Sequence, residues 1–126
     1  MRRLIPVWPM SDDTHDADLT LAEYQRLAGR TINVSLSVDQ RLLDASAGLA
    51  EEAGEVLGLV RKHLFMHHDL DTARLATELG DALWCLTAAA GALGLSLEDV
   101  AAANLAKLRR RYPEGYTDQA SANRGS

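Results

Sequence analysis

An all-α fold follows from three features of this 126-residue sequence. Aromatic residues make up only 5% of it, while alanine and leucine dominate, a balance that favours helices over sheet. Long stretches repeat apolar residues at three- and four-residue spacing, and no stretch alternates with the two-residue period of a strand. Three of them open on Ser or Thr followed three residues later by Glu, Gln or Asp, the spacing that caps a helix N-terminus. The expected architecture is a four-helix bundle-like domain over residues 20–116. An N-terminal arm (1–19) and a flexible C-terminal tail (117–126) flank it.

Each element has a local reason. The arm holds two prolines and then an acidic, polar run from Ser11 to Asp18, so it reads as an extended or poorly ordered segment, with Trp8 docked on the body or on a neighbouring subunit, or else left unattached. Thr20-Leu-Ala-Glu23 opens a short first helix that reaches about Arg30. Ser37-Val-Asp-Gln40 opens a long second helix to about Leu64. Its apolar residues, Leu42, Leu43, Leu49, Val56, Leu57 and Val60 among them, cover more than half its circumference, as in a central helix. Arg61, Lys62 and His63 in its last turns complement the helix dipole. Phe65 to Asp69 reads as a loop, with His67 and His68 exposed. A third helix runs from Asp71 or Thr72 to Ala92 and stops near Gly94. Ser96-Leu-Glu-Asp99 caps a fourth, which Pro113 ends after Tyr112, with Leu97, Val100, Ala101, Leu105 and Leu108 as its core stripe.

Composition narrows the function. A formal net charge of −5 argues against nucleic-acid binding, which needs a basic surface toward phosphates. The one cysteine, Cys85, has no partner for an internal disulfide and lies on an apolar stripe, so it reads as a small buried hydrophobe. The N-terminal apolar run is short and broken by prolines, unlike a signal peptide, and no later stretch is apolar for long enough to span a membrane. A cytoplasmic protein with no membrane partner is the expectation.

The chemistry is concentrated in two acidic patches inside apolar helices. Residues three apart share a helix face, so Glu52 and Glu55 lie together, as do Glu78 and Asp81. The first pair falls on a stripe with Ala45, Gly48 and Leu59, the second on a stripe with Cys85, Ala88 and Ala92. Carboxylates that converge in a bundle interior repel one another and lack hydration, so they take up protons or hold a cation. An all-oxygen donor set suits a hard ion, magnesium or manganese. Glu51 points away toward the rim. On the fourth helix Asn104 lies at a core-facing angle, with Lys107 and Arg111 one and two turns on, a spacing that suits a row of phosphates.

Glu51-Glu52-x-x-Glu55, followed after twenty-two residues by Glu78-x-x-Asp81, resembles the signature of the MazG-like all-α nucleoside triphosphate pyrophosphohydrolases. Glu78-Leu-Gly-Asp-Ala-Leu-Trp84 and Asn104-Leu-Ala-Lys-Leu-Arg-Arg-Arg-Tyr-Pro-Glu-Gly-Tyr116 are similar as well. The resemblance implies magnesium held by Glu52, Glu55, Glu78 and Asp81. It also implies a nucleoside triphosphate cleaved between its α- and β-phosphates, with Asn104 and Lys107 near them. Homodimers or homotetramers with the site near a subunit interface are implied too. Apolar faces on helices two and three, too extensive for one chain to cover, point the same way. Either Glu52 or Glu55 is placed to act as general base toward an attacking water. Two readings stand beside this one. A ferritin-like di-iron bundle normally pairs Glu with His at i+3, where this chain has Glu55 and Asp81. In a noncatalytic helical interaction protein the acids are structural, paired with Lys62, Lys107 or arginines. A phosphoribosyl-ATP-cleaving enzyme is an alternative within the resembled superfamily.

Overall fold

Side-chain caps place the helices where the sequence asks for them. The structure, a computed structural model, describes residues 18–123. Thr20 Oγ1 accepts from the Glu23 amide at 3.1 Å and starts α1 (Leu21–Ala28), which tightens into a 3-10 turn over Gly29–Thr31. Ser37 and Gln40 form a reciprocal capping box, at 3.2 and 2.9 Å, that starts α2 (Val38–Phe65). Asp71 caps α3 (Thr72–Ala92) by accepting from the Arg74 amide. That helix ends where Gly94 takes a φ of +71°, a conformation that needs no Cβ. Ser96 caps α4 (Leu97–Arg111), and Pro113 follows its C-cap Tyr112.

The 28-residue α2 and 21-residue α3 are joined by a short loop and pack along each other as an antiparallel hairpin. Their approach is close because Gly48 has no side chain. A Cβ there would lie 2.8 Å from Cys85 Sγ. Ala45 and Cys85 are buried beside this contact; Thr87 and Ala90 are buried elsewhere on α3, where Thr87 Oγ1 donates to the Leu83 carbonyl within its own helix. Cys85 is thus the buried small residue that the sequence indicates.

At the open end of the hairpin the chain turns through 103° between α3 and α4. Gln25 of α1 holds that corner. Its Nε2 donates to the Leu95 carbonyl and its Oε1 accepts from the Leu97 amide. Trp84 Nε1 donates to Thr31 Oγ1 and ties α3 to the 3-10 turn. Consequently α4 packs against α1 and α3 across the end of the hairpin.

This all-α arrangement corrects the expected bundle in three respects. Of the proposed α4 core stripe only Leu97 is buried; Leu105 is 49% exposed and Leu108 39%. Asn104 faces solvent rather than a core. The segment expected to be a flexible tail forms a further short helix, α5 (Asp118–Ala122), capped by Thr117. The arm, Trp8 included, lies almost wholly outside the described residues. Among the described residues no strand forms, and no single helix is long and apolar enough to cross a membrane.

The seam makes a direct prediction. Gly48→Ala should destabilise by about 1–3 kcal/mol, the usual cost of overpacking, because the Cys85 thiol has little room to move. Adding Cys85→Ala should restore part of the loss, and melting temperatures of the two single variants and the double variant measure that coupling.

Candidate functional site

Midway along the hairpin, α2 contributes Glu52 and α3 contributes Glu78 and Asp81. Each has a carboxylate oxygen within 4.8 Å of the others. Glu52 and Glu78 are partly buried and Asp81 is exposed. The i, i+3 spacing in α3 places Glu78 and Asp81 on the face turned to α2, and the tight Gly48–Cys85 contact about one turn away fixes the separation of the helices.

Crowding shows in the protonation of Glu52. A hydrogen bond with Glu78 pushes its pKa up to about 7, helped by partial burial and by the negative charges of Glu78, Asp81 and Glu55. A carboxyl group of this kind shares a proton with its neighbour when no cation is present. Tyr24 of α1 stands close enough to be affected. Burial raises its phenol first, and Asp81 adds to the effect.

Glu55 stands apart from this group of three. Its carboxylate lies 3.9 Å from Arg74 Nη2, and Arg74 Nε lies 3.8 Å from Glu78. These are ion-pair separations rather than hydrogen bonds, on side chains that water reaches, so their contribution to stability is small. Their effect is positional, since one guanidinium links α2 to α3 beside the three acids. Glu51, Glu55, Lys62 and Arg74 line a shallow cleft of about 280 Å³ that continues from the acids toward the hairpin loop, floored by Gly54 and Gly58.

The α4 residues are not brought to this place within one chain. Asn104 and Lys107 are exposed and Arg111 is partly buried. None of the three lines the cleft beside the acids. His67 and His68 lie in the exposed hairpin loop, where His63 Nδ1 contacts the His68 carbonyl at 2.8 Å. No histidine among the described residues joins the acidic group, which separates it from a Glu-x-x-His di-iron site.

Comparison with known families gives the decisive observation. Residues 40–116 match the MazG nucleotide pyrophosphohydrolase domain. The chain belongs to the MazG family. Comparisons with curated proteins and with solved structures found no match. The matched range covers α2 from Gln40 onward, α3 and α4, so all four acids and the α4 residues lie inside the MazG domain. Membership supports a nucleotide pyrophosphohydrolase, and the three acids offer the oxygen donors that a divalent cation takes.

Sequence reasoning missed Arg74 as a specific partner of the acids. Its signal was present, because Arg74 precedes Glu78 by one helical turn, the spacing at which side chains meet.

The raised pKa predicts how metal-free stability depends on pH. Between the ordinary carboxyl value of 4.5 and about 7, the folded chain keeps a proton on Glu52 that the unfolded chain has released. Stability from this group therefore falls as pH rises through that window. Thermal melts in chelator should show the fall, and Glu52→Gln should flatten it. Magnesium should stabilise more at about pH 8 than at about pH 5.5, where it must displace the proton.

Proposed function

We propose that this MazG protein is a magnesium-dependent pyrophosphohydrolase. It would cleave a nucleoside triphosphate between the α- and β-phosphates to give a monophosphate and pyrophosphate. The observation that carries the reading is the meeting of Glu52, Glu78 and Asp81 within 4.8 Å inside the matched domain. The donor set fits the ion. Three carboxylates supply only oxygen ligands, and the shared proton on Glu52 marks a deficit of positive charge there. Manganese fits the same donors.

When bound, the ion supplies charge for the phosphates and acidifies a water. The protein residues do the remainder. Glu52, Glu78 and Asp81 hold the cation. Glu55, which the fold keeps outside that group, retains an oxygen to accept a proton from the attacking water. Glu52 is the alternative base, but its place among the three acids suits it better as a ligand. Arg74 orients Glu55 and Glu78 at once and adds a positive charge on the side of the cleft where Lys62 lies.

We further read the functional unit as a homodimer or homotetramer. Leu57, Leu64, Phe65 and Leu79 on the hairpin are each more than half exposed in a single chain. Patches of that kind on a soluble protein ordinarily meet a partner. Asn104, Lys107 and Arg111 do not reach the acids of their own chain, and we assign them to phosphates held by a neighbouring copy. Such an enzyme would serve the cytoplasmic nucleotide pool, housecleaning included.

Two experiments test these roles. Glu55→Gln should lower kcat by about 10²–10⁴-fold, the usual contribution of a general base, while magnesium still raises the melting temperature. Glu78→Gln should lose both. Equal turnover by wild type and Glu78→Gln would contradict the site. For the α4 residues, inactive Glu78→Gln and inactive Lys107→Ala chains are mixed after mild dissociation. Recovered pyrophosphate release is expected if Lys107 acts across subunits, and none if it acts within one chain.

A further inference from the structure

A second cleft lies at the open end of the hairpin, on the other side of the acids from Arg74. It measures about 230 Å³ and is walled by α1, the 3-10 turn with the loop after it, α2 and α3. Ala28, Ile32, Leu36, Ala45 and Ala88 make most of its lining apolar. It is smaller than the roughly 300 Å³ at which pockets for whole ligands begin, so it suits one ring system.

The polar groups around it divide into two sets. Gln25 uses both ends of its amide on the α3–α4 corner, and Thr87 donates to Leu83. Trp84 uses its indole N–H on Thr31, so it offers this cleft apolar ring surface. Asn33 uses its carbonyl on Ser35 and keeps only its amide donors. Arg41 and Asp44, one turn apart on α2, remain. Arg41 Nε is buried and, among the described residues, has no hydrogen-bond partner; the exposed Asp44 side chain likewise makes no hydrogen bond or ion pair among them. A buried guanidinium N–H without an acceptor costs free energy that an oxygen or ring nitrogen of a ligand recovers.

The position matches the proposed reaction. Trp84 follows Asp81 by three residues, about 4.5 Å along α3, and Glu52 follows Asp44 by eight, about 12 Å along α2. A nucleotide with its phosphates at the acids can extend its base into this cleft. We infer that the cleft is the nucleobase subsite, and that Arg41 and Asp44 select a base carrying both a ring carbonyl and an exocyclic amine. Arg41 donates to the carbonyl edge and Asp44 accepts from the amine, pairings that these side chains also make with bases in duplex DNA. Trp84 supplies apolar surface for the ring. Cytosine and guanine carry both groups. Adenine lacks the carbonyl, and uracil lacks the amine. This selectivity rests on the nucleotide reading of the acidic site.

The test uses the full chain with Trp8→Phe, which leaves Trp84 as the one indole. Magnesium-dependent pyrophosphate release is measured for CTP, GTP, ATP and UTP, each with its deoxy counterpart. Metal-free quenching of Trp84 fluorescence is measured with the four monophosphates. The cytosine and guanine substrates should be preferred at least about tenfold in kcat/KM, through KM. Arg41→Met and Asp44→Asn should remove the preference, chiefly by raising KM for the cytosine and guanine substrates. Arg41→Lys should not rescue it, because lysine has no Nε edge. CMP and GMP should quench Trp84 in the parent and not in Arg41→Met. Unchanged preference in both variants, with melting curves showing them folded, overturns the assignment. So does pyrophosphate release without base preference or quenching, an outcome that leaves the reaction standing. Arg41-dependent quenching by CMP or GMP without turnover of any nucleotide supports the subsite and overturns the reaction.

Discussion

Three carboxylates held against their mutual repulsion are the constraint on which this structure turns. Glu52, Glu78 and Asp81 come within 4.8 Å of one another only because two long helices are locked side by side. The lock lies about one turn away, where the absent side chain of Gly48 lets Cys85 seat against α2. Like charges at this separation favour opening the hairpin, and the apolar seam of small residues opposes them. The raised pKa of Glu52 is the sign of that tension. A divalent cation bound there, as proposed, would relieve it by replacing repulsion with coordination and so couple stability to ligand binding.

The same hairpin explains why a single chain looks incomplete. Among the described residues few are buried: the small Ala45, Cys85, Thr87 and Ala90 on the two long helices, and Leu97 on α4. Small residues let helices approach but bury little area each, so the seam is close without being a large core. The larger side chains, Leu57, Phe65 and Leu79 among them, point outward. The proposed assembly with a second copy would account both for their exposure and for the absence of α4 residues from the cleft beside the acids.

Much of this was legible in the sequence, for local reasons. Capping residues Thr20, Ser37, Asp71 and Ser96 start helices where their spacing indicates, and Pro113 and Gly94 end them. The i, i+3 pairing of Glu78 with Asp81, and their convergence on Glu52, follow from helical geometry once α2 and α3 are antiparallel neighbours. The turn between α3 and α4 was not legible. Periodicity gives a helix its apolar stripe but not the direction in which it leaves a corner, and the 103° turn is set by Gln25 bonding to Leu95 and Leu97 from seventy residues away in the chain. Asn104 was therefore assigned to a core it does not face. Arg41 and Asp44 gave no signal either. They look like ordinary surface charges early in α2 until the loop after α1 forms the facing wall of a cleft beside them.

The central claim is that Glu52, Glu78 and Asp81 form one cation site while Glu55 stands outside it. Anomalous scattering from crystals grown with manganese tests this most directly. A peak bonded to oxygens of Glu52, Glu78 and Asp81 is expected, at about 2.1 Å as for a small hard ion, with Glu55 still directed toward Arg74. A peak at Glu55 and Glu51 with the other three acids unengaged, or no ordered manganese near α2 and α3, would contradict it.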